Sequence, residues 1–216
     1  MKSTQLITLS FLLFAFTAKL QLAFSDEEVE QVVDVNGNPI FPGGKYYILP
    51  AIRGPQGGGL KLGQTGGSSC PVTVLQNFLE VENGVPIKFT IPGISPGEIY
   101  TGTQLDIEST KKPYCATSSK WIVFVDNDIA KACVGIGGPK DHPGKQTLVG
   151  KFHIQKYKRA YKLVFCITGA STCLDIGRYK NENDDEGGRR LNLTEHEPFE
   201  LVFVDAGFSS GIKSVV

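Results

Sequence analysis

The residues best placed to meet a partner lie in a stretch with two Pro-Gly pairs, residues 90–100. The stretch reads Thr-Ile-Pro-Gly-Ile-Ser-Pro-Gly-Glu-Ile-Tyr and carries no charge before Glu98. Paired proline and glycine predict tight turns, and an ordinary surface connection would show the same residues. Because proline restricts the unfolded chain, this loop loses little entropy when a partner holds it. The pattern therefore favours an exposed recognition loop.

The acidic residues near the loop bear on a second chemistry, the hydrolysis of a sugar bond. Glycosidases place two carboxyl groups about 5 to 10 Å apart on either side of a pocket. The acids close to the loop are Glu98, Asp106 and Glu108. The alternation of a half-buried strand also explains Asp106 and Glu108, so a glycosidase stays as an alternative only.

The sequence does not indicate metal or nucleotide chemistry. The three histidines, His142, His153 and His196, are scattered, and neither C-x-x-C nor H-E-x-x-H occurs. Residues 58–65 approach a phosphate-binding loop, but Gln64 stands where that loop needs lysine. We expect no cofactor and no metal.

The N-terminus has the features of a secretory signal peptide. Lys2 precedes a short apolar run at residues 6–16, and small residues at Ala23 and Ser25 suit cleavage before Asp26. A cut after Ala23 is the other option. No segment has the ~20 apolar residues of a membrane helix. We expect residues 1–25 to be removed, residues 26–216 to form a single domain, and the product to be secreted without a membrane anchor.

Five cysteines in a secreted chain leave one over after pairing. Cys166 and Cys173 enclose six residues, a spacing that suits a small bridged turn. Cys70, Cys115 and Cys133 would then share one further bond. In the same context Asn192 begins the sequon Asn-Leu-Thr, which predicts glycosylation unless burial in a strand prevents it.

Composition and spacing favour an all-β fold. About a dozen short strand-like runs are separated by turn residues, and Asn36-Gly37 and Asn83-Gly84 are both hairpin signals. Three runs begin with an aromatic residue, at 46–49, 121–124 and 161–165, which suggests threefold organisation and fits a β-trefoil. Lys and Arg total 22, as do Asp and Glu, so the charge does not indicate a nucleic-acid partner.

Several segments, in order, resemble the plant Kunitz soybean trypsin inhibitor family. The N-terminal signature spans residues 32–40 and continues through residues 43–49 as Gly-Gly-Lys-Tyr-Tyr-Ile-Leu. Further matches follow at residues 70–76, 161–166 and 175–178 and at Arg189-Arg190-Leu191. The resemblance covers essentially all of the mature chain.

This resemblance implies a β-trefoil of about twelve strands, secreted or vacuolar, with bridges Cys70–Cys115 and Cys166–Cys173 and with Cys133 unpaired. It also implies a monomer that blocks serine proteases with a rigid loop, which is cleaved and released slowly. The reactive residues by this resemblance are Ile91, Pro92, Gly93, Ile94, Ser95 and Pro96, and the scissile bond joins Ile94 to Ser95.

Two departures from the family pattern bear on activity. Residues 90–100 contain no Lys or Arg for trypsin's acidic pocket, and Lys88 is the nearest basic residue. Pro42 stands where the inhibitors carry an asparagine that braces the loop, and proline cannot make those hydrogen bonds. The first alternative is therefore a trefoil of the same family that binds or stores without inhibiting. The resemblance also implies a second alternative, an α-fucosidase-like glycosidase, because some legume relatives have carried that label.

Overall fold

The computed structural model describes residues 29–52, 54, 56–93, 97–182 and 186–207. Across these ranges the secondary structure is almost entirely strand, with one short 3-10 helix at Pro139–Asp141. The strands are β1 (Lys45–Pro50), β2 (Leu60–Gly63), β3 (Thr73–Asn77), β4 (Ile87–Thr90), β5 (Asp106–Ser109), β6 (Trp121–Asp126), β7 (Lys131–Ile136), β8 (Thr147–Leu148), β9 (Gly150–Tyr157), β10 (Ala160–Ile167), β11 (Cys173–Tyr179), β12 (Gly188–Thr194) and β13 (Leu201–Asp205). The all-β prediction is confirmed.

The strand pairing closes on itself. β4 pairs with β5 and β1, β1 pairs with β13, and β13 pairs with β10, which pairs with β9. A bridge between Leu105, beside the start of β5, and Phe152 in β9 completes the circuit. These six strands, β1, β4, β5, β9, β10 and β13, therefore form a closed barrel. Closure leaves them without a free edge that could pair with another chain.

Three aromatic residues mark the threefold pattern that the sequence predicts. Tyr46, Trp121 and Tyr161 lie at the first or second positions of β1, β6 and β10, and each is buried. Each ring packs against a core phenylalanine, with centroid distances of 6.4 Å for Tyr46–Phe89, 5.9 Å for Trp121–Phe152 and 5.6 Å for Tyr161–Phe203. The aromatic residues that begin these runs therefore fill equivalent places around one core.

The two predicted hairpin turns have different outcomes. Asn36-Gly37 is confirmed, since Val33 bridges Pro39 and Gly37 takes a φ of +81°. The second prediction is wrong, because residues 78–81 form no strand. Gly84 instead runs parallel to Leu60, where a Cβ would lie 2.0 Å from the Leu60 carbonyl oxygen. Close backbone approach, not a hairpin, accounts for the glycine.

A buried ion network joins β12 to the β6 end of the sheet. The Arg190 guanidinium is 1% exposed and donates to Asp126 at 2.6 Å and, through Nε, to Glu186 at 2.7 Å. Lys145 donates to the same oxygen of Asp126 at 2.7 Å. Two carboxylates and two cations thus satisfy one another in a place where an unpaired charge would cost several kcal/mol.

Candidate functional site

The predicted recognition loop connects β4 to β5, whose pairing brings Thr90 opposite Asp106 at its base. On its N-terminal side Ile91 is half-buried, while Pro92 and Gly93 are exposed. The predicted reactive residues Ile94, Ser95 and Pro96, and with them the scissile bond, lie outside the described residues. The chain that the structure does describe enters and leaves the loop at the surface.

Pro92 and Gly93 form a turn at the start of the loop. Gly93 has a φ of +77°, a conformation that side-chain-bearing residues rarely adopt, and proline precedes it. Proline followed by a residue of positive φ is the signature of a type II turn. The turn chemistry predicted from the Pro-Gly pair is confirmed at this position.

The C-terminal end of the loop is anchored by Ile99. Its side chain is fully buried in the core. Its N–H donates to the Ile40 carbonyl oxygen at 3.2 Å, and its carbonyl oxygen accepts from the Val32 N–H at 2.8 Å. Both backbone groups of Ile99 are therefore held by the N-terminal segment, residues 30–44.

Further contacts between the same two segments lie next to Ile99. The N–H of Thr101 donates to the Glu30 carbonyl oxygen at 2.8 Å, and the Glu30 N–H donates to the Thr101 hydroxyl at 3.0 Å. Gln31 bridges Tyr100, and its side-chain amide donates to the Glu98 carboxylate. The exit of the loop is thus held along several residues.

A turn around Pro42 holds the other end of the loop. The Gly44 N–H donates to the Phe41 carbonyl oxygen at 3.1 Å, and Gly43 has a φ of +83°. This is again the type II pattern, with Pro42 before the glycine. The Gly43 N–H donates at 2.8 Å to the carbonyl oxygen of Phe89, one residue before the end of β4. Backbone groups beside Pro42 therefore contact the loop's entrance.

Two tyrosine hydroxyls attach the N-terminal segment to the barrel. The Val33 N–H donates to Tyr161 Oη at 3.0 Å, and the Phe41 N–H donates to Tyr46 Oη at 3.0 Å. The sequence pattern identifies these tyrosines only as aromatic residues that begin strand-like runs. The signal available for their second role is their type, since a buried tyrosine needs a hydrogen-bond partner for its hydroxyl.

The candidate glycosidase acids are not arranged for catalysis. Asp106 accepts hydrogen bonds from Lys120 at 2.9 Å and Lys151 at 2.8 Å. Burial alone would raise the pKa of Asp106, but these bonds and charges outweigh it and lower the pKa below its ordinary value. Cavities of about 460, 310 and 500 Å³ are lined by residues other than Glu98, Asp106 and Glu108. The geometry therefore gives the glycosidase alternative no support.

The described ranges contain neither a metal-binding cluster of side chains nor a membrane-spanning helix. No group of three His, Cys, Asp or Glu side chains there is close enough to hold a metal ion. No helix within those same ranges has the length and apolar character that crossing a membrane requires.

Two disulfides occur, and one encloses the loop. Cys70 bonds to Cys115, with 45 residues of separation, and Cys166 bonds to Cys173 across paired β10 and β11. These are the pairs that the family resemblance implies. On the chain-entropy model the long bridge stabilises the fold by about 4 kcal/mol and the short one by about 2.5 kcal/mol. Cys133 is free and buried, and burial raises the pKa of its thiol to about 11.

The predicted glycosylation site is enclosed by strands. Asn192 lies in β12, opposite Gly177 of β11 and Cys133 of β7, and is 5% exposed. Its side-chain amide donates to the Leu193 carbonyl oxygen at 2.8 Å. Asn192 lines a cavity of about 460 Å³, but its side chain is nearly inaccessible and its amide nitrogen already donates a hydrogen bond, so burial in a strand argues against modification there.

Comparison with known proteins gives a consistent family assignment. Residues 32–205 match the legume Kunitz family, described as trypsin and protease inhibitor. The chain is 66% identical over 220 residues to the Kunitz-type trypsin inhibitor-like 2 protein of Pisum sativum, covering 100% of both. It is 57% identical over 191 residues to subtilisin inhibitor CLSI-II of Canavalia lineata, covering 87% of this chain and 98% of the relative.

Solved structures agree with this assignment. A Kunitz-type trypsin inhibitor from Cicer arietinum superposes with a TM-score of 0.79 at 69% identity, covering 82% of this chain and 99% of the other. Soybean trypsin inhibitor in complex with porcine pancreatic trypsin matches with a TM-score of 0.71 at 30% identity and the same coverage. This likeness confirms the β-trefoil prediction. The chain belongs to the legume Kunitz family of protease inhibitors, whose members are not enzymes.

Proposed function

We propose that this protein is a secreted inhibitor of serine endopeptidases that presents residues 90–100 to the protease active site. One observation carries the proposal: the N-terminal segment contacts both ends of the loop. Gly43 bonds to Phe89 at the entrance and Ile40 bonds to Ile99 at the exit. A loop fixed at both ends fits the requirements of slow, tight inhibition.

The physical argument concerns entropy and geometry. A flexible substrate loses conformational freedom when a protease binds it, whereas a loop already held in shape loses little, so its affinity rises. After cleavage, a scaffold that keeps both new ends in place favours resealing of the bond over release of the product. The bridge Cys70–Cys115 adds a covalent connection between the two sides of the loop.

The residues of the loop suit a protease whose specificity pocket is small or accepts an aliphatic side chain. The residue before the proposed scissile bond is Ile94, and residues 90–100 contain no Lys or Arg for the aspartate in trypsin's pocket. Lys88 cannot substitute, because β4 pairs it with Lys45 on one side and Glu108 on the other. The Canavalia lineata relative is named a subtilisin inhibitor, which fits a subtilisin or elastase target better than trypsin.

The test is a titration of the purified mature protein against trypsin, chymotrypsin, elastase and subtilisin. We expect stoichiometric inhibition of subtilisin or elastase and weak inhibition of trypsin. The substitution Ile94→Lys should move the preference toward trypsin, while Lys88→Gln should leave the profile unchanged. Absence of inhibition of all four proteases would overturn the proposal.

A non-inhibitory binding or storage protein is the second candidate, and Pro42 favours it. Proline cannot supply the side-chain hydrogen bonds that asparagine makes at this place in the inhibitors. In this chain the backbone groups of residues 40–43 contact the loop ends directly, which weakens that objection. The same titration separates the two candidates, since a storage protein would be degraded by the proteases without stoichiometric inhibition.

A further inference from the structure

A cavity of about 460 Å³ lies at the hairpin of β11 and β12, and none of the described residues of the 90–100 loop lines it. Among the described residues, its ionisable lining side chains are Lys131, Arg178, Lys180, Arg189, His196 and Glu197. Four of these six are lysine or arginine and only one is acidic. The lining therefore has an excess of positive charge that protease inhibition does not use.

Two guanidinium groups are held side by side in this lining. Arg178 Nη1 donates to the Gln56 carbonyl oxygen at 3.4 Å and to Gln76 Oε1 at 3.4 Å. Arg189 Nη1 donates to the same two oxygens at 3.1 and 3.2 Å. Gln76 Nε2 also donates to the Gln56 carbonyl oxygen, at 2.7 Å. Five donor contacts thus share two neutral acceptor oxygens.

Neither arginine has a carboxylate within salt-bridge distance among the described residues, although the more distant charge of Glu197 partly offsets the lowering of the Arg178 pKa. In the same part of the chain, no salt bridge includes Arg178 or Arg189, and only the Nη1 atom of each donates a hydrogen bond. The neighbouring Arg190 shows the contrast, because Asp126 and Glu186 neutralise it. A guanidinium has five N–H donors, so most donors of the arginine pair remain for a ligand.

The pair is held in place by aromatic rings. Arg178 lies over the Phe199 ring at 4.8 Å and Arg189 over the Phe78 ring at 5.1 Å. Burial and the nearby charge of Arg189 lower the pKa of Arg178. Two like charges that are half-buried and held together repel one another, and an anion between them would relieve that repulsion.

We propose that this cavity binds an oxyanion, phosphate or sulfate, either free or as an ester on a small molecule. Planar guanidinium groups match the oxygens of phosphate and sulfate with paired hydrogen bonds. A volume of about 460 Å³ exceeds one oxyanion and falls in the range of small-ligand pockets. The ester form therefore suits the cavity as well as the free ion does.

The experiment is calorimetric titration of the whole mature protein with inorganic phosphate, glucose 6-phosphate and uncharged glucose. We expect saturable binding of the first two and none of glucose. Equal affinity for inorganic phosphate and glucose 6-phosphate would show that the protein recognises the oxyanion alone. Tighter binding of glucose 6-phosphate would show that the cavity wall also contacts the sugar. Both results support the proposal, and absence of saturable binding by either anion overturns it.

Matched variants locate the site. In R178Q/R189Q we expect affinity for inorganic phosphate to fall about tenfold or more, because two charge-assisted donors are lost. The control K111Q/K140Q removes two exposed positive charges outside the cavity and should bind as the wild type does. Equal loss in both variants would overturn the proposal.

A measurement on the wild type covers the case in which the arginine variant does not fold. Inorganic phosphate should shift the backbone amide NMR signals of Arg178, Tyr179 and Arg189 and leave those of Glu98 and Ile99 in place. Signal shifts that are spread over the surface and not concentrated at the β11–β12 hairpin would contradict binding in this cavity.

Discussion

The backbone N–H of Gly43 donates a hydrogen bond of 2.8 Å to the carbonyl oxygen of Phe89. Gly43 belongs to the turn that Pro42 starts, and Phe89 belongs to the strand that enters the exposed loop. The turn that lacks the bracing asparagine is therefore still in contact with the loop. We therefore expect any effect of this turn on inhibition to come through backbone atoms, and we expect a hydrogen-bonding side chain at residue 42 to add to that effect.

We predict that Pro42→Asn slows cleavage of the loop by subtilisin by about fivefold, because one neutral hydrogen bond from the amide is worth about 1 kcal/mol. Stability should fall by about 0.4–1 kcal/mol, since the unfolded chain gains freedom. The rate at which nicked protein accumulates reports the first effect, and urea unfolding reports the second. Pro42→Ala is the control, with the same stability loss and no slower cleavage. Equal slowing in both variants would contradict this account.

Removing the hydroxyl of Tyr161 should loosen the N-terminal segment from the barrel. In Tyr161→Phe the Val33 N–H loses its partner, so we expect the free energy of unfolding to fall by about 1 kcal/mol and the loop to be cleaved faster. Tyr47→Phe is the matched control, because no hydrogen bond of the Tyr47 hydroxyl is present in the described structure. Faster cleavage in the control as well would point to a general loss of stability.

The buried ion network predicts a loss of stability in acid. Burial alone would raise the pKa of Asp126, but hydrogen bonds from Lys145 and Arg190 outweigh it and hold the pKa below its ordinary value of 3.8. The ionised carboxylate therefore stabilises the folded state above pH 3.8, and that contribution disappears as pH falls through the folded pKa.

Asp126→Asn should cost about 3 kcal/mol at neutral pH, because Lys145 loses its carboxylate partner and the buried Arg190 keeps only Glu186. Its stability should also depend less on pH in the acid range than that of the wild type. Thermal unfolding followed from neutral to acid pH measures both effects. Asp128→Asn, at an exposed position two residues away, is the control and should unfold like the wild type. If the stability of Asp126→Asn falls as steeply with acid as that of the wild type, carboxylates other than Asp126 are responsible for the acid dependence.

Asn192 should be unmodified in folded protein secreted from eukaryotic cells, because its side chain is buried and its amide nitrogen already donates a hydrogen bond to the Leu193 carbonyl oxygen. Intact mass before and after enzymatic deglycosylation measures this. Gly169→Asn is the positive control, since it completes a sequon with Ala170 and Ser171 on an exposed turn where Gly169 has a φ of +85°. We expect a glycan on that variant only. A glycan at Asn192 in correctly folded protein would contradict the burial described above.

The sequence predicts local turn chemistry and the threefold core better than it predicts the loop's support. Gly37 and Gly93 follow directly from their dipeptides, and Tyr46, Trp121 and Tyr161 stand out as strand-leading aromatics. Local propensity failed at Gly84, where the close approach of β2 sets the backbone. That contact joins separate parts of the chain and leaves no local pattern.

Long-range polar contacts were beyond the reach of sequence reasoning. The bond between Val33 and Tyr161 spans 128 residues, and that between Asp126 and Arg190 spans 64. Arg189 and Arg190 are adjacent and chemically identical, yet one lines a cavity and the other is neutralised in the core. Strand alternation predicts that the Arg189 and Arg190 side chains lie on opposite faces of the sheet. Only the tertiary structure determines which of the two faces contacts the carboxylates.

The most direct test is the identity of the bond that a target protease cuts. After incubation with a catalytic amount of subtilisin, mass spectrometry should show one nick, between Ile94 and Ser95, in a chain whose two parts separate only when Cys70–Cys115 is reduced. A sole cut outside residues 90–100 in an inhibited complex would contradict the account, as would digestion to small peptides without inhibition.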